Sequence, residues 1–96
     1  MTFRVYHANL PTFEVDIERD RAALNERFPH HFTHVADVNA DDIDLAYEMT
    51  QNIDRPWTQL ITVKAHVPRA RSTSVGDVIT TDGHRFVCCS VGWEEF

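Results

Sequence analysis

Two β-prone runs, Val78-Ile79-Thr80 and Arg85 to Val91, flank the dipeptide Asp82-Gly83. Asp-Gly tolerates the positive φ angles that a two-residue turn needs, and it joins strands whose right-handed twist matches that turn. A C-terminal β-hairpin is therefore expected, and with it an antiparallel sheet for the rest of the chain to cover. Further strands follow from the period-two signal. Phe3, Val5 and His7 alternate with Arg4 and Tyr6, which predicts a strand over 2–7, and Asn9-Leu10-Pro11 then turns the chain. Phe13, Val15 and Ile17 alternate with Glu14, Asp16 and Glu18, a second half-buried strand with a helix start as the competing reading. Strands are also expected at 33–38 and at about 59–66, where Leu60, Thr62 and Lys64 oppose Ile61, Val63 and Ala65.

Two helices complete the pattern. From Asp20 the chain turns to helix formers, with Ala23, Leu24 and Phe28 on one side until Pro29 stops it. The clearer helix begins after Asn39, read as the N-cap, with Asp41 and Asp42 in the first turn; Ile43, Ala46, Tyr47 and Thr50 recur at helical spacing and Asn52 is a stop. Asp54-Arg55-Pro56-Trp57 reads as a loop, because Pro56 disfavours helix at Arg55. With 96 residues and 43% apolar content there is material for one modest core. The expectation is one small α+β domain, a mostly antiparallel sheet of about five strands with two helices.

Charge is distributed unevenly. Residues 1–54 carry eleven acids and four bases, whereas 55–96 carry four acids and five bases. Asp37, Asp41, Asp42, Asp44, Glu48 and Asp54 fall in a window without Lys or Arg, and Asp41, Asp44, Glu48 and Gln51 share the predicted outward helix face. A solvated face explains such a row; so does a docking surface. The net charge of −6 argues against direct binding to nucleic acid or anionic membranes. It points to a protein partner, including a basic DNA- or RNA-binding complex. Without a long apolar run or a basic, apolar N-terminal start, the expected setting is the cytoplasm.

The segment Arg71-Ser72-Thr73-Ser74-Val75-Gly76-Asp77-Val78-Ile79, followed by Asp82-Gly83, Phe86-Val87 and Gly92-Trp93, resembles the pattern of YodL-like domains and of the tails of KfrB-type plasmid proteins. The resemblance covers about 25 of the 96 residues. It implies a setting on plasmids, phages or integrated elements and no catalytic signature. Read physically, Gly76 and Gly83 are turn positions, Ser72 or Ser74 a cap, and Asp77 a turn acceptor.

No reaction is announced. His30, His31 and His34 form H-H-x-x-H, a metal pair if helical, but Pro29 precedes them, a strand follows, and no acidic or thiol ligand lies inside the cluster. A polar loop is expected, with no metal and no cofactor. Cys88 and Cys89 are adjacent and predict reduced residues on opposite faces of a strand rather than a disulfide. His84 lies roughly 13 Å from Cys88 along an extended strand, too far for a nucleophile and its base. Lys64, His66, Arg69 and Arg71 form a basic stretch around Pro68, and Trp57 is either the lid of the core or a semi-exposed anchor.

Three functions fit these residues. The first is an acidic, non-enzymatic inhibitor from a mobile element, of anti-CRISPR or antirestriction type, using Asp37, Asp41, Asp42, Asp44, Glu48, Asp54 and Trp57 at its partner interface. The second is a docking module of a plasmid maintenance or conjugation system that engages Trp57 and the basic stretch. The third is a small metal-binding protein or enzyme built on the histidines.

Overall fold

The computed structural model describes residues 1–9, 21–52 and 56–96. The predicted strand at 13–17 and the carboxylate of Asp54 lie outside these residues. The described chain runs β1 (Thr2–Ala8), α1 (Arg21–Arg27), β2 (Phe32–Asn39), α2 (Ile43–Met49), a 3-10 turn (Trp57–Gln59), β3 (Val63–Ala65), β4 (Val78–Thr81), β5 (His84–Cys88) and β6 (Trp93–Glu95). The strands form a six-stranded sheet in the order β3-β2-β1-β4-β5-β6, and each neighbouring pair is antiparallel. The α+β architecture is the expected one, with one strand more than anticipated.

The β4–β5 hairpin closes through Asp82 and Gly83 at φ 49° and 82°, the left-handed pair that a type I′ turn demands. The predicted strand over 85–91 is cut short. At Cys89 the amide donates to the carbonyl of Gly92 (2.9 Å), so the chain doubles back and β6 pairs Trp93, Glu94 and Glu95 with Cys88, Val87 and Phe86. The predicted strand over 59–66 shrinks to Val63–Ala65. Pro56 and Trp57 instead start a 3-10 turn, in which the Gln59 and Leu60 amides bond back to Pro56 and Trp57 (3.0 and 3.1 Å), and Ile61 is left fully exposed.

Directly paired residues of an antiparallel ladder share a face. Phe3, Val5, Ala36, Val38 and Ile79 lie on one face and form a core with Ala46 of α2 and the buried Trp57; Ile43 and Met49 pack against it. Val78 and Val87 lie on the other face, under Leu24 of α1, with Tyr6, Phe28, Phe32 and Phe96 around them. Arg85 ties this second layer together: its guanidinium lies 4.6 Å from the Phe96 ring and 5.8 Å from that of Phe28, and donates to Asn25 Oδ1 (2.8 Å). Each helix is only seven residues long, too short to persist alone. The layers on either face hold them in place.

The N-cap of α2 is Asp42, not Asn39. Asp42 Oδ1 accepts from the Leu45 amide (2.8 Å), whereas Asn39 ends β2, opposite Thr2. The extended chain has three residues left to turn the corner, so the cap moves down to the last Asp before Ile43.

One irregularity shapes the surface. Between β1 and β2 the register steps from Val5 opposite Ala36 to Tyr6 opposite His34, so β2 carries one extra residue, Val35. Val35 and Ala36 are consecutive and both buried, as a β-bulge requires. Beyond it, His34 and Asp37, three apart in sequence, share the face of Tyr6 and Arg4. Among the described residues no helix is long and apolar enough to cross a membrane.

Candidate functional site

The acidic residues separate into two sets. Asp44 and, one turn further along α2, Glu48 are exposed, and residues four apart on a helix stand roughly 5–6 Å from one another; Asp41, expected in the first helical turn, is also exposed but precedes the Asp42 cap and lies outside the helix. None of these three takes part in an ion pair among the described residues. Asp42 beside them is also exposed but is committed to capping α2. Gln51, placed on the same face by helical spacing, instead bonds the carbonyls of Tyr47 and Thr73 (3.1 and 3.0 Å) and clasps the helix end to the chain beyond.

Asp37 leaves the acidic row. The bulge aims it across the other sheet face, where Oδ1 meets His34 Nε2 at 2.8 Å and Oδ2 meets His66 Nε2 at 3.1 Å. His66 arrives from just past β3, where its amide donates to the Val35 carbonyl (2.8 Å). The two imidazoles pack with centroids 4.5 Å apart, and Tyr6 stacks on His34 at 4.8 Å. Partial burial alone would raise the Asp37 pKa, but the hydrogen bonds from His66 and His34 outweigh it and hold the carboxyl below its ordinary range. His30 and His31, the other members of H-H-x-x-H, lie exposed in the turn after α1. Sequence spacing grouped His34 with the wrong partners, because nothing local announces the bulge or brings His66 from another strand.

Trp57 is not a surface anchor. Its side chain is 0% exposed, its Nε1–H donates to the Arg71 carbonyl (2.9 Å) and its amide to Asn52 Oδ1 (3.0 Å). The 3-10 turn rolls the indole inward over the sheet, so it is the lid of the core and has no face to offer a partner.

The loop carrying the YodL-like pattern is built around Asp77, which is wholly buried. Its Oδ1 accepts from Arg71 Nη2 (2.7 Å) and the Ala8 amide (2.9 Å), and its Oδ2 from Arg71 Nη1 (2.5 Å) and the Ser74 amide (2.8 Å). Sequence reasoning found the turn acceptor but missed the two-pronged ion pair. Gly76, at φ 94°, supplies the left-handed step that lets the turn close over the carboxylate. Nearby, His7 Nε2 bonds Thr73 Oγ1 (2.9 Å). Among the described residues no buried side-chain nitrogen or oxygen lacks a partner.

Burial pushes the His7 pKa down to about 4; Asp77 opposes the shift and Arg71 adds to it. An unfolded chain takes up this proton near pH 6.5. Between those values the unfolded state binds more protons than the native one, so stability is complete above about pH 6.5 and declines as pH falls towards 4, by at most about 3 kcal/mol. Thermal unfolding followed from pH 7.5 down to pH ~4.5 should show this decline. The slope should be shallower in His7→Gln; an equal slope would place the acid sensitivity elsewhere.

Cys88 and Cys89 are both buried and not joined in a disulfide; Cys88 ends β5 opposite Trp93, which packs on the first core, whereas Cys89 lies just past the strand and packs with Leu24, Val78 and Val87 on the other face. Burial, with Asp77 and Cys89 nearby, raises the Cys88 thiol to about 11, so it stays protonated at neutral pH and is a poor nucleophile. His84, at the far end of β5, is engaged by Glu95 (3.1 Å).

No protein-family model, curated protein or solved structure matches this chain.

Proposed function

We propose that the protein is a small, acidic, non-enzymatic docking protein whose α2 face occupies the basic groove of a nucleic-acid-handling or defence protein, in the manner of an anti-CRISPR or antirestriction inhibitor. The observation that carries this reading is the set Asp41, Asp44 and Glu48, exposed together, unpaired with any base among the described residues, and set in an eighteen-residue stretch without Lys or Arg. Carboxylates at this spacing present a row of negative charge to a groove that normally holds phosphates. Such complementarity steers association and weakens as salt screens it. Two buried thiols that form no disulfide support a reducing, cytoplasmic setting. The pattern over 71–93, resembling YodL-like and KfrB-type sequences, supports an origin on a mobile element.

The test is a variant that keeps the cap: Asp41→Asn, Asp44→Asn and Glu48→Gln together, with Asp42 intact. Its melting temperature should stay close to that of the wild type, since exposed, unpaired carboxylates contribute little to stability. Wild-type protein immobilised in bacterial lysate should retain a nucleic-acid-binding protein that DNA competes away and a salt step elutes, and the variant should lose it. Equal retention of that protein by the variant would reduce the acidic row to a solvated face.

A further inference from the structure

We infer that His34, Asp37 and His66 form a binding site for one divalent transition-metal ion, which links β2 to the edge strand β3. This does not rest on the docking role of α2, whose carboxylates play no part in it. The three ligand atoms, one from each side chain, lie within 4.8 Å of one another. Two imidazoles and one carboxylate are the donor set that borderline ions such as Zn²⁺ and Co²⁺ select, with metal–ligand distances of roughly 2.0–2.2 Å and a remaining position open to water.

The metal-free arrangement is already close to a coordinating one. A carboxylate can only accept hydrogen bonds, so each Nε2 facing Asp37 carries a hydrogen, and both rings present the same nitrogen to one carboxylate, His34 to Oδ1 and His66 to Oδ2. An arriving ion takes the place of those two hydrogens. Each ring then carries its hydrogen on Nδ1 and offers the Nε2 lone pair to the ion, and the Asp37 carboxylate supplies the third ligand atom.

Closing from 4.8 Å to tetrahedral ligand separations asks for side-chain shifts of about 1 Å, which half-exposed rings at a sheet edge can make. Tyr6 stacked on His34 fixes one ring in advance. Two like charges share this face: Arg4 and Lys64 sit opposite Asp37 on β1 and β3. They weaken the site for hard ions held by charge alone and leave it to ions that bond imidazole.

An ion here joins two residues of β2 to one beyond β3, a strand with only three ladder pairs, and so it stabilises the edge. The experiment uses protein stripped with a chelator and titrated with Zn²⁺ or Co²⁺. Calorimetry should find one ion per chain. At about 100 times Kd the melting temperature should rise by roughly 10–20 °C. Bound Co²⁺ should add visible absorption of a four- or five-coordinate ion. His66→Ala and Asp37→Asn should each weaken binding at least about tenfold, since removing even an outer-shell partner of a metal ligand costs roughly 10–100-fold. His30→Ala with His31→Ala, which alters the exposed histidines nearby, should bind like the wild type. The site is overturned if the wild type shows neither a thermal shift nor a Co²⁺ spectrum. It is equally overturned if His66→Ala binds as tightly as the wild type, or if the His30 and His31 double variant is the one that loses the ion.

Discussion

Asp77→Ala is expected to destabilise the protein by about 3–5 kcal/mol, a large share of the roughly 5–15 kcal/mol that holds a domain of this size together. The carboxylate is 0% exposed and accepts four hydrogen bonds, two from Arg71 and one each from the Ala8 and Ser74 amides. Its removal strands two backbone donors, and it unties the end of β1 from the turn that precedes β4. Asp77→Asn retains the shape but has one acceptor oxygen where the carboxylate has two, so an intermediate loss is expected. Denaturant unfolding measures both, and a loss under about 1 kcal/mol in the alanine variant would show that water replaces the network without penalty. Arg71→Ala leaves the carboxylate buried without its cation, and should approach the cost of losing Asp77 itself.

Trp57→Ala is the second large effect, about 3–5 kcal/mol, from the cavity left by a fully enclosed indole. Trp57→Phe fills most of that space and loses only the donor to the Arg71 carbonyl, so about 1–3 kcal/mol is expected. The two sites share one residue: the Arg71 carbonyl holds Trp57 while its guanidinium holds Asp77. The double variant Trp57→Phe with Asp77→Asn should therefore fall short of the sum of the single losses, and a full double-mutant cycle measures the coupling. Near-normal stability of Trp57→Ala, together with a lost partner, would return the residue to the surface role that its burial excludes.

The chain declares part of this fold locally and part of it not at all. Asp82-Gly83 marks the hairpin because the turn type is a property of two residues. The alternation at 2–7 marks β1 because side chains point to opposite faces whatever the partner strand. Asp44 and Glu48 are exposed for a similarly local reason: Ile43 and Ala46 turn the opposite side of α2 to the core.

Elsewhere local rules point the wrong way. Leu60 to Ala65 alternates like a strand, yet only Val63–Ala65 joins the sheet, because the backbone bonds after Pro56 close a 3-10 turn and bury Trp57. Cys88 to Val91 is β-prone, yet the chain reverses there to give β6 a place on the sheet edge. In both places the gain from packing an aromatic residue outweighs strand propensity.

Sequence alone determined the α+β class, the C-terminal hairpin, α2 and its charged face, since each depends on contacts between residues only a few positions apart. Only the tertiary structure decided that His34 and Asp37 meet His66, and that Arg71 closes on a buried Asp77 beside β1. Those groupings depend on one inserted residue in β2 and on which strands lie side by side. A period of two read along a single strand carries neither, because the bulge breaks that period and pairing joins residues far apart in the chain.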